Sequence, residues 1–137
     1  PSRGLGDVYK RQLLVIRGNM MIHEKLTILL TSDIIDQETH DYVLSVLNYL
    51  LQNDIIEEEK KADVFLTHLA MADMRRKKSE SINDLESFIR SEIEADAKFL
   101  HSKELWQDLQ KMTSDKKFDD AELDYFYLHI INMLREE

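Results

Sequence analysis

The chain has 137 residues, the length of one domain, and is 43% hydrophobic and 33% charged, enough apolar content for a core beneath a heavily ionised surface. Its formal net charge of −9 repels phosphate backbones and anionic membranes, so neither direct nucleic-acid binding nor membrane binding is expected. The absence of cysteine excludes disulfides, thiol catalysis and thiolate metal sites, and it fits a cytoplasmic location.

Residues 1–19 read as a non-native tail. Asp7-Val8-Tyr9-Lys10-Arg11-Gln12 is what a transposon-type sequencing adapter encodes when translated. Arg17-Gly18-Asn19-Met20 is what a purine-rich ribosome-binding site encodes when it runs into a start codon. Translation is therefore expected to begin at Met20 or Met21. This head carries Arg3, Lys10, Arg11 and Arg17 against Asp7, so the remainder is more acidic than the whole chain. It also holds all three glycines and the one proline. Phosphate-cradling loops and tight β-hairpins need residues that accept positive φ, so the rest of the chain is unsuited to P-loop, dinucleotide-binding and β-sandwich architectures. No apolar run approaches the roughly 20 residues of a membrane span.

The remainder reads as all-α, with five helical segments. A short lead-in helix within 20–35, over about 21–31, places Ile22, Leu26, Leu29 and Leu30 at helical spacing, and Asp33-Ile34-Ile35-Asp36 ends it. The domain proper is expected over 36–137. Asp36 is positioned to cap a helix over 37–52, whose apolar stripe is Val43, Val46, Leu47, Leu50 and Leu51. A third helix is expected from Glu57 to Lys78, with Glu57, Glu58 and Glu59 at its N-terminus and Arg75, Arg76, Lys77 and Lys78 at its C-terminus, both complementing the helix dipole. Ser79 to Asn83 is a polar loop in which Ser81 and Asp84 form a capping-box variant. Helix then resumes near Asp84 and runs to about Met112, with a break between Glu94 and Lys98. Its expected buried residues are Leu85, Phe88, Ile89, Phe99, Leu100, Leu105, Trp106 and Leu109. After a turn over Thr113 to Phe118, Asp119 or Asp120 caps a last helix that runs to about Arg135. Short connections between helices of these lengths imply a single five-helix antiparallel bundle.

Two of the five histidines stand out. In the third helix, Phe65, Leu66, Leu69 and Ala72 form the core face, His68 flanks it, and Arg75 follows seven residues later on the same line. In the last helix, Leu123, Phe126, Tyr127, Ile130, Ile131 and Leu134 form the stripe, His129 sits at its edge, and Glu122 precedes it by seven residues, about 20° off the same line. A boundary imidazole is a nucleophile when one ring nitrogen keeps its lone pair and the other donates to a fixed acceptor. Nothing organises around His23, His40 or His101, which read as packing. A metal site of His68, His129 and Glu122 is disfavoured, because seven residues along one helix is about 10.5 Å.

Leu66-Thr67-His68-Leu69-Ala70-Met71-Ala72-Asp73-Met74-Arg75 resembles the first histidine motif of the PTS regulation domain. Asp120-Ala121-Glu122-Leu123-Asp124-Tyr125-Phe126-Tyr127-Leu128-His129-Ile130-Ile131 resembles its second. The chain distance from His68 to His129 is about what one such domain spans between its two histidines. The resemblance covers nearly all of 36–137, and Thr67 stands where the family commonly has aspartate. It implies a five-helix regulatory bundle of the sugar phosphotransferase system, not an enzyme and without a cofactor. It further implies phosphorylation at His68 and His129, with Arg75 and Glu122 shaping the site. The implied role is transcriptional, carbon-source regulation through a partner protein, with a phosphocarrier protein or enzyme II component as donor; a homodimer is compatible with it. The other reading left open by the residues is a helical adaptor that is not phosphorylated.

Overall fold

The computed structural model describes residues 21–135, and the expectation for residues 1–19 lies outside them. All regular structure among the described residues is helical: α1 (Ile22–Thr31), α2 (Gln37–Gln52), a 3-10 turn (Glu59–Ala62), α3 (Asp63–Lys77), α4 (Ser87–Ala95), α5 (Phe99–Gln110) and α6 (Asp120–Leu134). The expected long fourth segment is therefore two helices, broken at Asp96, whose extended backbone ends α4 and whose carboxylate accepts from the Lys98 amide at 2.8 Å.

Helix α3 packs against α1 and α2 on one side and against α6 on the other, and α6 in turn carries α4 and α5. The lead-in helix shares the main core: Ile22, Leu26 and Leu29 are buried with Val43, Val46, Leu47, Leu50, Leu66 and Leu69. At the α3–α6–α5 junction Phe126 is the hub. Its ring meets Phe65 edge-on at 6.0 Å, Phe118 edge-on at 5.1 Å and Trp106 at 4.7 Å. Of the last-helix stripe, Phe126, Ile130 and Ile131 are fully buried, while Leu123, Tyr127 and Leu134 pack partly buried against the core.

Three helices end without glycine. Asp33, Asp54 and Ser79 take φ of 60°, 57° and 57°, the left-handed position after a helix that glycine usually fills. In each case the next amide reaches back a full turn: Ile34 to the Leu29 carbonyl at 2.9 Å, Ile55 to Leu50 at 2.9 Å and Glu80 to Arg75 at 2.8 Å. After α1 and α2 this closure is written twice in similar residues, Leu29-Leu30-Thr31-Ser32-Asp33-Ile34-Ile35 and Leu50-Leu51-Gln52-Asn53-Asp54-Ile55-Ile56. Each ends on a buried isoleucine, Ile35 or Ile56, that pins the returning chain. Short polar residues thus stand in the left-handed positions where glycine is usual.

Asp36 caps α2 as expected, its carboxylate accepting from the Thr39 amide at 2.8 Å. The third helix starts at Asp63 instead of Glu57, because the return from the α2 terminus occupies the intervening residues and closes with the 3-10 turn. Ser81 and Asp84 do not cap α4, which begins at Ser87 behind Glu86 with no side-chain cap. Phe88 and Leu100, expected inside, are 60% and 68% exposed. Helices α4 and α5 are short and meet at an open corner, so they bury one edge each, through Ile93 and through Leu105, Trp106 and Leu109. No helix among the described residues is long and apolar enough to cross a membrane.

Candidate functional site

Helices α3 and α6 run antiparallel, and their register builds the site. His68 faces His129 with ring centroids 5.0 Å apart. Two turns further along α3, Arg75 grips Glu122, donating from Nε to Oε2 at 2.7 Å and from Nη2 to Oε1 at 3.0 Å. The seven-residue step from His68 to Arg75 is matched by the seven-residue step from His129 back to Glu122. Two lines that run separately on two helices therefore meet face to face, and all four residues singled out from the sequence converge.

Their partners lie across the helix pair instead of along each helix. Glu122 Oε1 also stands 3.3 Å from His68 Nε2, so one carboxylate serves both the guanidinium and the imidazole. Among the described residues His129 makes no hydrogen bond to Glu122. The Glu122 side chain is 5% exposed, Arg75 21% and His68 16%. A carboxylate this deep needs its charge matched, and the two parallel bonds from Arg75 provide that. Glu122 also lines a cavity of about 320 Å³ with Arg76, Ser79, Ser81, Lys117 and Phe118.

Aromatic rings hold the His68 imidazole. Tyr125 stacks on it at 5.3 Å with an interplanar angle of 17°, and Phe126 meets it edge-on at 5.7 Å. Tyr125 was not singled out from the sequence, although it lies three residues after Glu122 and so on a neighbouring line of the same helix. Burial pushes the His68 pKa down against the opposing pull of Glu122. Burial, and then the charge of His68, pushes His129 down to about 4. Both rings are neutral at pH 7. With Nε2–H of His68 directed at Glu122, the hydrogen-bond pattern assigns the free lone pair to Nδ1.

The other three histidines stand apart. His23 lies beside Glu59 at 3.3 Å, His40 beside Asp41 at 3.0 Å, and His101 is on the surface. Among the described residues no group of three or more histidine, cysteine, aspartate or glutamate side chains is arranged to hold a metal ion.

A second polar cluster, also absent from the sequence reading, stands on the next face of α3. Asp73 is completely buried and accepts from Thr39 Oγ1 at 2.6 Å and from Lys116 Nζ at 3.0 Å. Lys116 is buried too; it reaches Glu38 at 2.9 Å and sits 4.6 Å from the centre of the Tyr42 ring. Burial works against ionisation of Asp73, but Thr39, Lys116 and Arg76 hold its carboxyl below the usual range. The basic run at the end of α3 is thereby consumed in specific pairs. Arg75 takes Glu122, Arg76 takes Asp73, and Lys77 takes Asp36 and Glu38. The sequence did carry a signal for Asp73, which falls seven residues after Leu66 and four after Leu69 and so places a carboxylate on the apolar stripe. Nothing in the local sequence marks Lys116, which sits in a turn.

Compared with family models, with curated proteins and with solved structures, the chain matches none.

Proposed function

We propose that this helical domain is a phosphohistidine-regulated module of the sugar phosphotransferase type, with His68 and His129 as phosphoryl acceptors and Arg75 and Glu122 shaping the site. The observation that carries the reading is the convergence of two neutral imidazoles, 5.0 Å apart, with a buried carboxylate held by an arginine. A neutral ring presents a nitrogen lone pair to phosphorus, and a phosphorylated ring that keeps its second N–H is cationic. Glu122 stands at the His68 N–H to offset that charge.

The chemistry balances with a phosphohistidine donor. The lone pair of His68 Nδ1 attacks phosphorus, the donor's P–N bond breaks, and its electron pair leaves with the donor nitrogen. A donor ring protonated at its second nitrogen departs neutral, and the acceptor ring keeps its Nε2–H on Glu122. The new group carries about −1.5 to −2 charges near pH 7, in a chain of net charge −9. Arg75 is the nearest counter-charge, and it is engaged by Glu122. Phosphorylation sets the phosphoryl group against Glu122 for that guanidinium, and the changed packing of α3 on α6 is the signal passed to a partner protein. The donor on this reading is a phosphocarrier protein or an enzyme II component in the cytoplasm, and the output is carbon-source control of transcription, through a homodimer or another protein.

Phe88 and Leu100, large apolar side chains exposed on α4 and α5, favour a second reading, a protein-interaction adaptor without phosphoryl chemistry. One experiment separates the two. The full chain is incubated with phosphoenolpyruvate and the general phosphotransferase proteins, and its intact mass is measured at alkaline pH, which preserves phosphohistidine. A phosphoryl mass that disappears in the His68→Gln/His129→Gln double variant supports the regulatory module. An unchanged mass with donor proteins shown to be active supports the adaptor.

A further inference from the structure

The two histidines are described above as two acceptors, yet the space and charge around them serve one phosphoryl group. Their ring centroids are 5.0 Å apart with the planes tilted by 50°, so a tetrahedral phosphoryl group on either ring lies in the immediate neighbourhood of the other. Tyr125 stacks on one face of His68 and Phe126 abuts it edge-on, so the imidazole cannot swing away without unstacking. Arg75 is the one cation hydrogen-bonded within the group, since Arg76 and Lys116 are committed to Asp73 and Lys77 to Asp36 and Glu38. The nearest other charge is the Glu122 carboxylate, which repels phosphate.

We infer that His68 and His129 form a single-occupancy acceptor pair, in which either ring takes a phosphoryl group and a group on one excludes a second on the other. This deepens the acceptor reading above and rests on it. Taken at a separation of roughly 6 Å and an effective dielectric near 20, two groups of about −1.5 charge repel enough, even after ionic screening, to disfavour the second addition by about a hundredfold. Arg75, the cation hydrogen-bonded to Glu122 beside the rings, offsets one such group and not two. The pair then reads as one switch with two entry points, so that donors approaching the α3 or the α6 side write the same state.

Each addition is the balanced transfer already described. The attacking lone pair forms the new P–N bond and the donor's P–N bond breaks with its electrons leaving on the donor. At His129, where no carboxylate among the described residues accepts the ring N–H, the ring proton passes to solvent after transfer.

The test is a phosphate count at His68 and His129 of the full chain, made with phosphoramidate, which phosphorylates accessible imidazoles without any enzyme. Intact mass at alkaline pH is followed to saturation for the wild type and for His68→Gln and His129→Gln, and electron-transfer fragmentation separates groups on the pair from any on His23, His40 and His101. Single occupancy expects one phosphoryl group on the pair in the wild type and one in each single variant, whatever the surface histidines carry. Wild-type chains phosphorylated on both His68 and His129 should stay below about one hundredth of those phosphorylated on one of them. Two phosphoryl groups on the pair in the wild type would overturn single occupancy and leave the acceptor function standing. Loss of all incorporation on the pair in one single variant, with its helicity unchanged, would overturn the shared pair in favour of one acceptor. No incorporation on the pair in the wild type would overturn both. The wild-type count needs no variant to fold, so disruption by a substitution cannot protect the inference.

Discussion

Lowering the pH from 7 to 5 should destabilise this domain through His129. The folded ring has its pKa pushed from 6.5 down to about 4 by burial and by the neighbouring His68, so the native state refuses a proton that the unfolded chain accepts. The unfolded state therefore binds more protons between the two values, and stability falls as pH falls. The contribution is intact above about 6.5, drains away through the window to about 4, and changes no further below it. At pH 5 the unfolded ring is almost fully protonated and the folded one mostly neutral, which places the loss near about 2 kcal/mol relative to pH 7. For a domain of this size that lowers Tm by roughly 8 °C. His68, also depressed by burial, adds a loss of the same sign. Urea unfolding monitored by far-UV circular dichroism at half-unit pH intervals measures the slope. His129→Gln keeps a polar planar side chain and removes the titration, so its stability should fall by about 2 kcal/mol less over the same interval. Parallel pH curves for wild type and His129→Gln would refute the claim that His129 is held neutral by its surroundings.

Removing the Glu122 carboxylate with Glu122→Gln should cost about 3 kcal/mol, because Arg75 loses a buried counter-charge, and the His68 imidazole should titrate at still lower pH in NMR spectra because Glu122 pulls its pKa up. An unmoved His68 titration would dissociate the carboxylate from the ring. Lys116→Met alone should cost about 3 kcal/mol by leaving Asp73 buried with a weakened cation set, and adding Asp73→Asn should recover part of it, a coupling read from a double-mutant cycle in urea. Additive losses would show that the pair does not act as a unit. Phe126→Ala should cost about 3–5 kcal/mol, since its ring joins Phe65, Trp106 and Phe118, and thermal unfolding would report it as the largest of these effects. Asp54→Gly should raise stability by about 0.5 kcal/mol by relieving the left-handed backbone at φ 57°, and Asp54→Val should lower it by more than that.

The helices were legible because their local chemistry is. Asp36 precedes a clean apolar stripe and caps it, and the His68–Arg75 and Glu122–His129 lines follow from 3.6-residue periodicity alone. Their meeting was not legible, because the register between α3 and α6 is decided by packing around Phe65, Trp106 and Phe126, which no single helix contains. The same limit explains Lys116, a turn residue made internal by Asp73 and Glu38 from two other elements. Phe88 and Leu100 err in the other direction: their spacing fits a buried face, but the corner at Asp96 turns α4 away from α5 and leaves no partner for them. The helix ends at Asp33 and Ser79 were legible, but the positive φ at Asp33, Asp54 and Ser79 was not, because glycine is the expected signal for it and here short polar residues carry it.

The claim on which the rest depends is that the imidazoles of the α3–α6 site accept phosphoryl groups, and the most direct measurement locates the phosphate. The full chain is phosphorylated from phosphoenolpyruvate through the general phosphotransferase proteins, and the intact ion is fragmented by electron transfer at alkaline pH. The account predicts an acid-labile phosphate confined to His68 and His129. An acid-labile phosphate on His23, His40 or His101, or none on any histidine while the donor proteins are fully charged, would contradict it.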